Sequence, residues 1–324
     1  MAWGFAPTLM IGAAVRHRVF DILDDGPKTI EAVASLSGTS VRGMRALMNA
    51  LAGIGLLTKT SAKEFGLSAD SAAFLVGSKP GYLGGLIGHV CTDLIAMWQP
   101  LADVVRTGKP AEGVNQERRG TEFFEGFVES LFPMNYPAAQ ALAQALGVAK
   151  AKKPVKVLDL AAGSGVWGIA LAQKSSQVRV TAVDFPGVLE VTRRVAAAHG
   201  VAGRFSYVPG DLATAEFGGG YDIATLGHIL HSEGEARSRA LVKKTYAALA
   251  PGGTIAIAEF LVEDDRSGPP ISLMFAVNML VATDEGSTYS FPEISAWLRE
   301  AGFENPRTVE APGPSPPILA TKPA

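Results

Sequence analysis

Cysteine is nearly absent: Cys91 stands alone among 324 residues. A single thiol excludes a disulfide framework and a thiolate metal cluster, so no metal is expected, and it suits a reducing cytoplasm. Neither sign of charge is in surplus. Lys and Arg number 29 against 31 Asp and Glu, a formal net charge of -2, which excludes a global field for nucleic acid or an anionic membrane. Long hydrophobic runs are missing too. The longest apolar stretch, ISLMFAVNMLVAT from Ile271, is too short to span a bilayer and contains Asn278, so a buried helix is expected there. The first residues, MAWGFAPTLMIGAAVRHRVFDILDD, lack a basic leader and are helix-spaced, which predicts an ordinary helix rather than a signal peptide.

What is present is apolar and periodic. Hydrophobic residues make up 48% of the chain, enough for two domains with ordinary cores. Helix spacing runs from residue 8 to 24, where Gly26-Pro27 stops it. Thr29 is placed to cap IEAVASLSG and Thr39-Ser40 to cap VRGMRALMNALAGIG, after which LLTKT and EFGLS form two short strands. Three helices and a two-stranded wing predict a winged helix over 1–105. Helices then continue to about Leu146, rich in Trp98, Phe123, Phe124, Phe127 and Phe132, as a connector over 106–150. The basic piece GVAKAKKP is the linker candidate.

Over 151–324 the pattern alternates strand and helix: VKVLDLA, VWGIALAQK, VRVTAVD, LEVTRRVAAAHG, FSYVPGD, YDIATLGHIL, ARSRALVKKTYAALA and TIAIAEFLV. Alternation of this kind predicts a parallel, doubly wound sheet. The last pieces, around a Gly-Pro turn with no helix between them, predict a terminal antiparallel hairpin. A dinucleotide fold needs another helical crossover there.

The stretch VLDLAAGSGVWG ends in Gly163, Gly165 and Gly168, the G-x-G-x-x-G spacing that turns a strand sharply into a helix and lets a nucleotide approach bare amides. Asp159, just before the turn, repels a pyrophosphate and attracts the sulfonium and ammonium of S-adenosylmethionine. Asp184 lies 19 residues after Gly165 at the tip of the next strand, where an acid reaches ribose hydroxyls. Asp211 closes the third strand, within reach of an adenine amine. These acids mark three successive strand ends, where open α/β sheets bind ligands.

These segments resemble the small-molecule O-methyltransferases of the caffeate and acetylserotonin type, in their bacterial secondary-metabolism branch. The resemblance spans FDILDDGPKTIEAVASLSGTSVRGMRALMNALAGIGLL, the glycine loop, AVDFPGV, PGDL, LGHILH, LAPGGTIAIAEFLV and NMLVATDEGSTYSFPEISAWLREAGF. It implies a class I methyltransferase fold with a winged-helix dimerisation domain, a homodimer, and methyl transfer from S-adenosylmethionine to a hydroxyl of a small aromatic or polyketide-like acceptor. The cofactor set it implies is Asp159, Ala161, Gly163, Gly165, Asp184, Phe185, Gly210, Asp211, Leu212, Gly227 and His228.

A phenol is a poor nucleophile until it loses its proton, and a histidine titrating near neutrality suits the task. Of five histidines, the family's base matches His231, and Glu259 matches an acid that orients it. His199, ending a helix, reads as a partner of the helix dipole. Two departures stand out: Ser232 follows the histidine where relatives carry Asp, and Thr288 stands where plant members carry a second glutamate. They leave open transfer to carbon or nitrogen, or a non-methylating use of the cofactor. A flat apolar pocket is expected from Phe124, Phe127, Met134, Tyr136, Met274, Asn278 and Met279, methionines adapting to planar rings. Two other classes fare worse. A DNA-binding regulator needs a basic face, yet residues 1–100 carry eight basic against seven acidic side chains; a nicotinamide oxidoreductase rests on the glycine triplet alone.

Overall fold

Hydroxyl caps start the early helices as their sequence dictates: Thr29, Ser40 and Ser68 each accept the amide three residues on. The computed structural model describes residues 2–111 and 127–324, which form two compact units, Met1–Ala96 and Met97–Ala324. Of the connector expected over 106–150, residues 112–126 lie outside the described residues, Phe123 and Phe124 with them.

In the first unit the helix expected over 8–24 is two helices, Phe5–Arg16 and Val19–Leu23. The break falls at Arg18, whose φ of 56° is left-handed. It turns Val19, Phe20 and Leu23 into the same core as Ala14, Met44 and Met48. Neither glycine nor proline announces it. The wing has three strands, β1 (Lys28–Thr29), β2 (Leu57–Lys59) and β3 (Glu64–Leu67), antiparallel in the order β1-β3-β2.

The second unit is a seven-stranded sheet: β4 (Val155–Leu160), β5 (Val178–Asp184), β6 (Phe205–Pro209), β7 (Tyr221–Gly227), β8 (Leu249–Ala258), β9 (Glu304–Thr308) and β10 (Pro317–Thr321). Their order is β6-β5-β4-β7-β8-β10-β9, with β10 antiparallel to both neighbours and the other described pairings parallel. The terminal hairpin is present. Helices cover both faces, so β4 is apolar on each side, and Val157, Leu158 and Leu160 are fully buried. GVAKAKKP is not a boundary between the units: it lies within the second, where Val148 is buried in the core. Strand order reverses at β4 and β7, which places a crevice at their C-terminal ends.

Candidate functional site

The loop leaving β4 has positive φ at Ala161 (51°), Gly163 (56°) and Gly165 (77°), a tight turn in which the Gly165 N–H donates to Ala162 O (2.7 Å). The Gly163 N–H donates to Asp184 Oδ2 (2.9 Å), and the Phe185 N–H to Oδ1 (2.7 Å), so the tip of β5 is tied to the loop of β4. Burial raises the Asp184 pKa to about 6 against these two amides, which lower it. Gly168 serves packing: a Cβ there would stand 2.8 Å from both Asp159 Oδ2 and Val180.

Asp159 does not face the crevice as the charge argument requires. It is fully buried beneath the turn, with Oδ2 accepting the Gly168 N–H (3.0 Å) and Oδ1 the Thr225 hydroxyl (2.6 Å). Burial, the largest influence, raises its pKa to about 7. Its role is to tie the helix Val166–Lys174 to β4 and β7. Beyond β6, the Gly210 N–H donates to Asp184 O (3.0 Å), while Asp211 Oδ1 accepts the Ala213 N–H (2.7 Å). Leu212 packs half-buried on the core, and its carbonyl accepts from Lys244 (2.9 Å). At the end of β7 a Cβ on Gly227 would overlap the Trp167 indole, so this glycine admits the ring.

His231 and Glu259 meet at the ends of adjacent strands. Nδ1 of His231 lies 2.7 Å from Oε2 of Glu259, with both side chains buried. The other carboxylate oxygen accepts the amides of Leu230 (2.7 Å) and His231 (3.3 Å). Burial raises the Glu259 pKa, but the two neighbouring imidazoles and the His231 amide outweigh it and hold the carboxyl below its usual value. An ionised carboxylate can only accept, which assigns the proton to Nδ1 and leaves a lone pair on Nε2. The pair can therefore take a proton at Nε2 and stabilise the resulting cation. Ser232 turns back to donate to Ile229 O (2.9 Å), and Thr288 is buried nearby in sequence to the Ser287 N–H that donates to His231 O (2.8 Å).

Aromatic rings wall this pair. Phe275 meets the His231 ring edge-on at 4.9 Å and stacks on Phe260 at 4.2 Å, while His228, at φ 61°, sits 5.4 Å from Phe260 and 6.1 Å from Trp167. Trp167, Phe260 and Phe275 carry no motif that marks them for a site in the sequence. Phe260 directly follows Glu259, and Phe275 stands three and four residues before Asn278 and Met279 on one helix face, which is the signal that was available.

The expected pocket residues scatter. Asn278 Oδ1 accepts the Trp98 indole N–H (2.8 Å), and Met279 is buried on the same helix, Pro270–Ala282. Met274 is 56% exposed, one position away from the face that Phe275 presents. Tyr136 is engaged elsewhere: its hydroxyl donates to Gln173 (2.5 Å) and its ring stacks on Phe132. Gln173 is in the last turn of the helix Val166–Lys174 that follows β4, away from the glycine loop at its start. His199 stacks on Phe132 there, and burial lowers its pKa. Phe127 and Met134 are half-buried, and Phe124 lies outside the described residues.

Comparison with known proteins agrees with this layout. A family model described as an O-methyltransferase domain matches residues 98–304, and one described as an O-methyltransferase dimerisation domain matches 1–77. The 3-hydroxy-5-methyl-1-naphthoate 3-O-methyltransferase of Streptomyces sahachiroi is 30% identical over 97% of this chain and 91% of its own. PigF of a Serratia species, an S-adenosyl-L-methionine-dependent methyl transferase, is 26% identical over 98% and 93%. Its structure with SAH superposes at a TM-score of 0.82. A candidate O-methyltransferase of Nostoc punctiforme, 31% identical, superposes at 0.90 over 99% of this chain and 97% of its own. With both family models matched in order along one chain, this protein belongs to the O-methyltransferase family and is an S-adenosylmethionine-dependent methyltransferase.

Proposed function

We propose that the acceptor is a phenolic hydroxyl on a small fused-ring aromatic compound, and that His231 is the base that deprotonates it, with Glu259 as its orienting partner. The observation that carries this reading is the buried 2.7 Å contact between His231 Nδ1 and Glu259 Oε2. The naphthoate substrate named for the Streptomyces relative supports the acceptor class.

The crevice residues fit the cofactor. The tight turn at Gly163 and Gly165 brings backbone rather than side chains to the crevice, and Gly165 is packed so closely that a Cβ would stand 2.8 Å from Thr192. Asp184 and Phe185 hold the ribose side, with Asp211 and Leu212 flanking the base. S-adenosylmethionine supplies the electrophilic methyl group. His231 Nε2 takes the phenol proton, Glu259 stabilises the imidazolium that forms, and Phe260 and Phe275 exclude water around the pair. We further propose that two chains pair through the first unit, in the reducing cytoplasm that the free Cys91 suits.

The test combines methyl-labelled S-adenosylmethionine with a panel of hydroxynaphthoates and cell extract, read by mass spectrometry. Label on a phenolic oxygen is expected; label on carbon or nitrogen overturns the reading. His231→Ala should lower turnover by roughly 10² to 10⁴, the range of general base catalysis, with SAH affinity retained. Its rate should recover as pH rises toward the phenol's pKa of about 10, because solvent then supplies the phenolate.

A further inference from the structure

The chain leaving β6 closes a single turn around Asp211. The Ala213 N–H donates to Asp211 Oδ1 (2.7 Å), and the N–H groups of Thr214 (3.0 Å) and Ala215 (2.7 Å) both donate to Asp211 O. With the amides turned inward, the carbonyls of Leu212, Ala213 and Ala215 converge on one point beside the turn, where three negative dipole ends repel one another. Such a turn needs a cation at that point.

Lys244 supplies it. From the helix Leu230–Ala248, beyond the kink at Gly234, its Nζ donates to Leu212 O (2.9 Å), Ala213 O (3.2 Å) and Ala215 O (2.6 Å), one carbonyl for each of its three protons. The same Nζ lies 4.1 Å from the centre of the buried Phe217 ring, whose face covers the ammonium from another side. Two helical turns earlier on the same face, Arg237 reaches Asp211 Oδ1 at 3.7 Å while its Nε donates to Glu233 (2.6 Å). One helix thus holds the turn twice, by its carbonyls and by its carboxylate.

This clamp decides where Asp211 points. Its side-chain contacts among the described residues use Oδ1, which leaves Oδ2 for the adenine amine. At the other end the Gly210 N–H is tied to Asp184 O (3.0 Å), so the turn keeps its register with the ribose side.

We propose that Lys244 is a positioning residue for adenine recognition: its ammonium holds together the three carbonyls of the turn that aims Asp211 at the exocyclic amine of the cofactor. The inference rests on the reading that Asp211 flanks the base. All three ammonium protons are engaged, so the effect passes through the backbone of the turn. Without the charge the carbonyls face one another and the turn opens.

The test is calorimetric titration of the full chain with SAH and with S-inosylhomocysteine, which carries a carbonyl oxygen where adenine carries its amine. Wild type should bind SAH roughly tenfold or more tightly than the inosyl ligand, because a carboxylate accepts from the amine and repels the oxygen. Lys244→Met, which keeps the length of the stem and loses the charge, should narrow that ratio roughly threefold or more, chiefly by weaker SAH binding. Lys244→Gln guards against loss of the fold in Lys244→Met and should narrow the ratio likewise, whereas Lys244→Arg, which keeps the charge, should restore it in large part. A purely structural role weakens both ligands equally. An unchanged ratio in a folded neutral variant therefore overturns the proposal, whether the two affinities hold or fall together. So does a narrowing that persists in full in Lys244→Arg, because shape and not charge is then what counts. A wild type that binds the two ligands equally sinks the reading of Asp211 beneath; a wild-type preference that survives loss of the charge sinks this inference alone.

Discussion

Asp184 accepts two backbone amides and still has lone pairs for ribose hydroxyls, but its pKa is raised to about 6 by burial. The sign follows from the comparison with an unfolded carboxyl near 4. Protonation favours the folded chain as pH falls through 6, whereas hydroxyl donors need the ionised form. S-adenosylmethionine affinity should therefore fall below about pH 6, by at most tenfold per unit for one proton. Calorimetry between pH 5 and 8 checks this, and a flat profile removes Asp184 from the ribose. Single residues were legible in the sequence to the extent that position alone decides their role. His231 and Glu259 lie just beyond the ends of the neighbouring strands β7 and β8, so their meeting follows from strand order. Asp159 misleads because its position beside the loop is right, while its oxygens are claimed by Gly168 and Thr225, a choice made by packing. Phe260 and Phe275 carry no chemical label that separates a site wall from a core.

The segment between the helices Pro270–Ala282 and Phe291–Glu300 positions His231 from its backbone side. The Ser287 N–H donates to His231 O, and Gly234, at φ 75°, kinks the helix Leu230–Ala248 where Glu285 packs against it. A Cβ on Gly286 would overlap the Thr283 hydroxyl and stand 2.6 Å from His231 O. Backbone on one side leaves no flexible neighbour to yield. Gly286→Ala should cost about 1–3 kcal/mol of stability, as overpacking does, and lower kcat at least tenfold while SAH affinity holds. Thermal melts and steady-state rates measure both; a lower Tm with unchanged kcat means the segment does not position the base. Elements were more legible than these contacts. Alternating strand and helix patterns fixed the sheet, and the missing final crossover fixed the hairpin. The break at Arg18 escaped because its cause is the burial of Val19 and Phe20 in a common core rather than any local breaker.

In the first unit, Trp3, Phe5 and Leu9 are 78%, 58% and 41% exposed, with Trp3 stacked on Phe5. Apolar surface concentrated on one segment marks a binding face, and the matched dimerisation domain says of which kind. Light scattering at micromolar concentration should give twice the chain mass of 33.8 kDa, and replacing Trp3 and Phe5 together by Ser should shift the population toward monomer. A monomeric wild type overturns this. The winged helix and the doubly wound sheet were both readable at this scale, because each needs only periodicity and order, whereas the division at Ala96–Met97 leaves no compositional mark. The sheet also dictates a schedule for biosynthesis. β10 is translated after its neighbours β8 and β9 yet lies between them, with Ile318, Leu319 and Ala320 completely enclosed. Until β10 emerges and inserts, β8 presents an unsatisfied apolar edge to other nascent chains, so the order of synthesis runs against the order of the sheet.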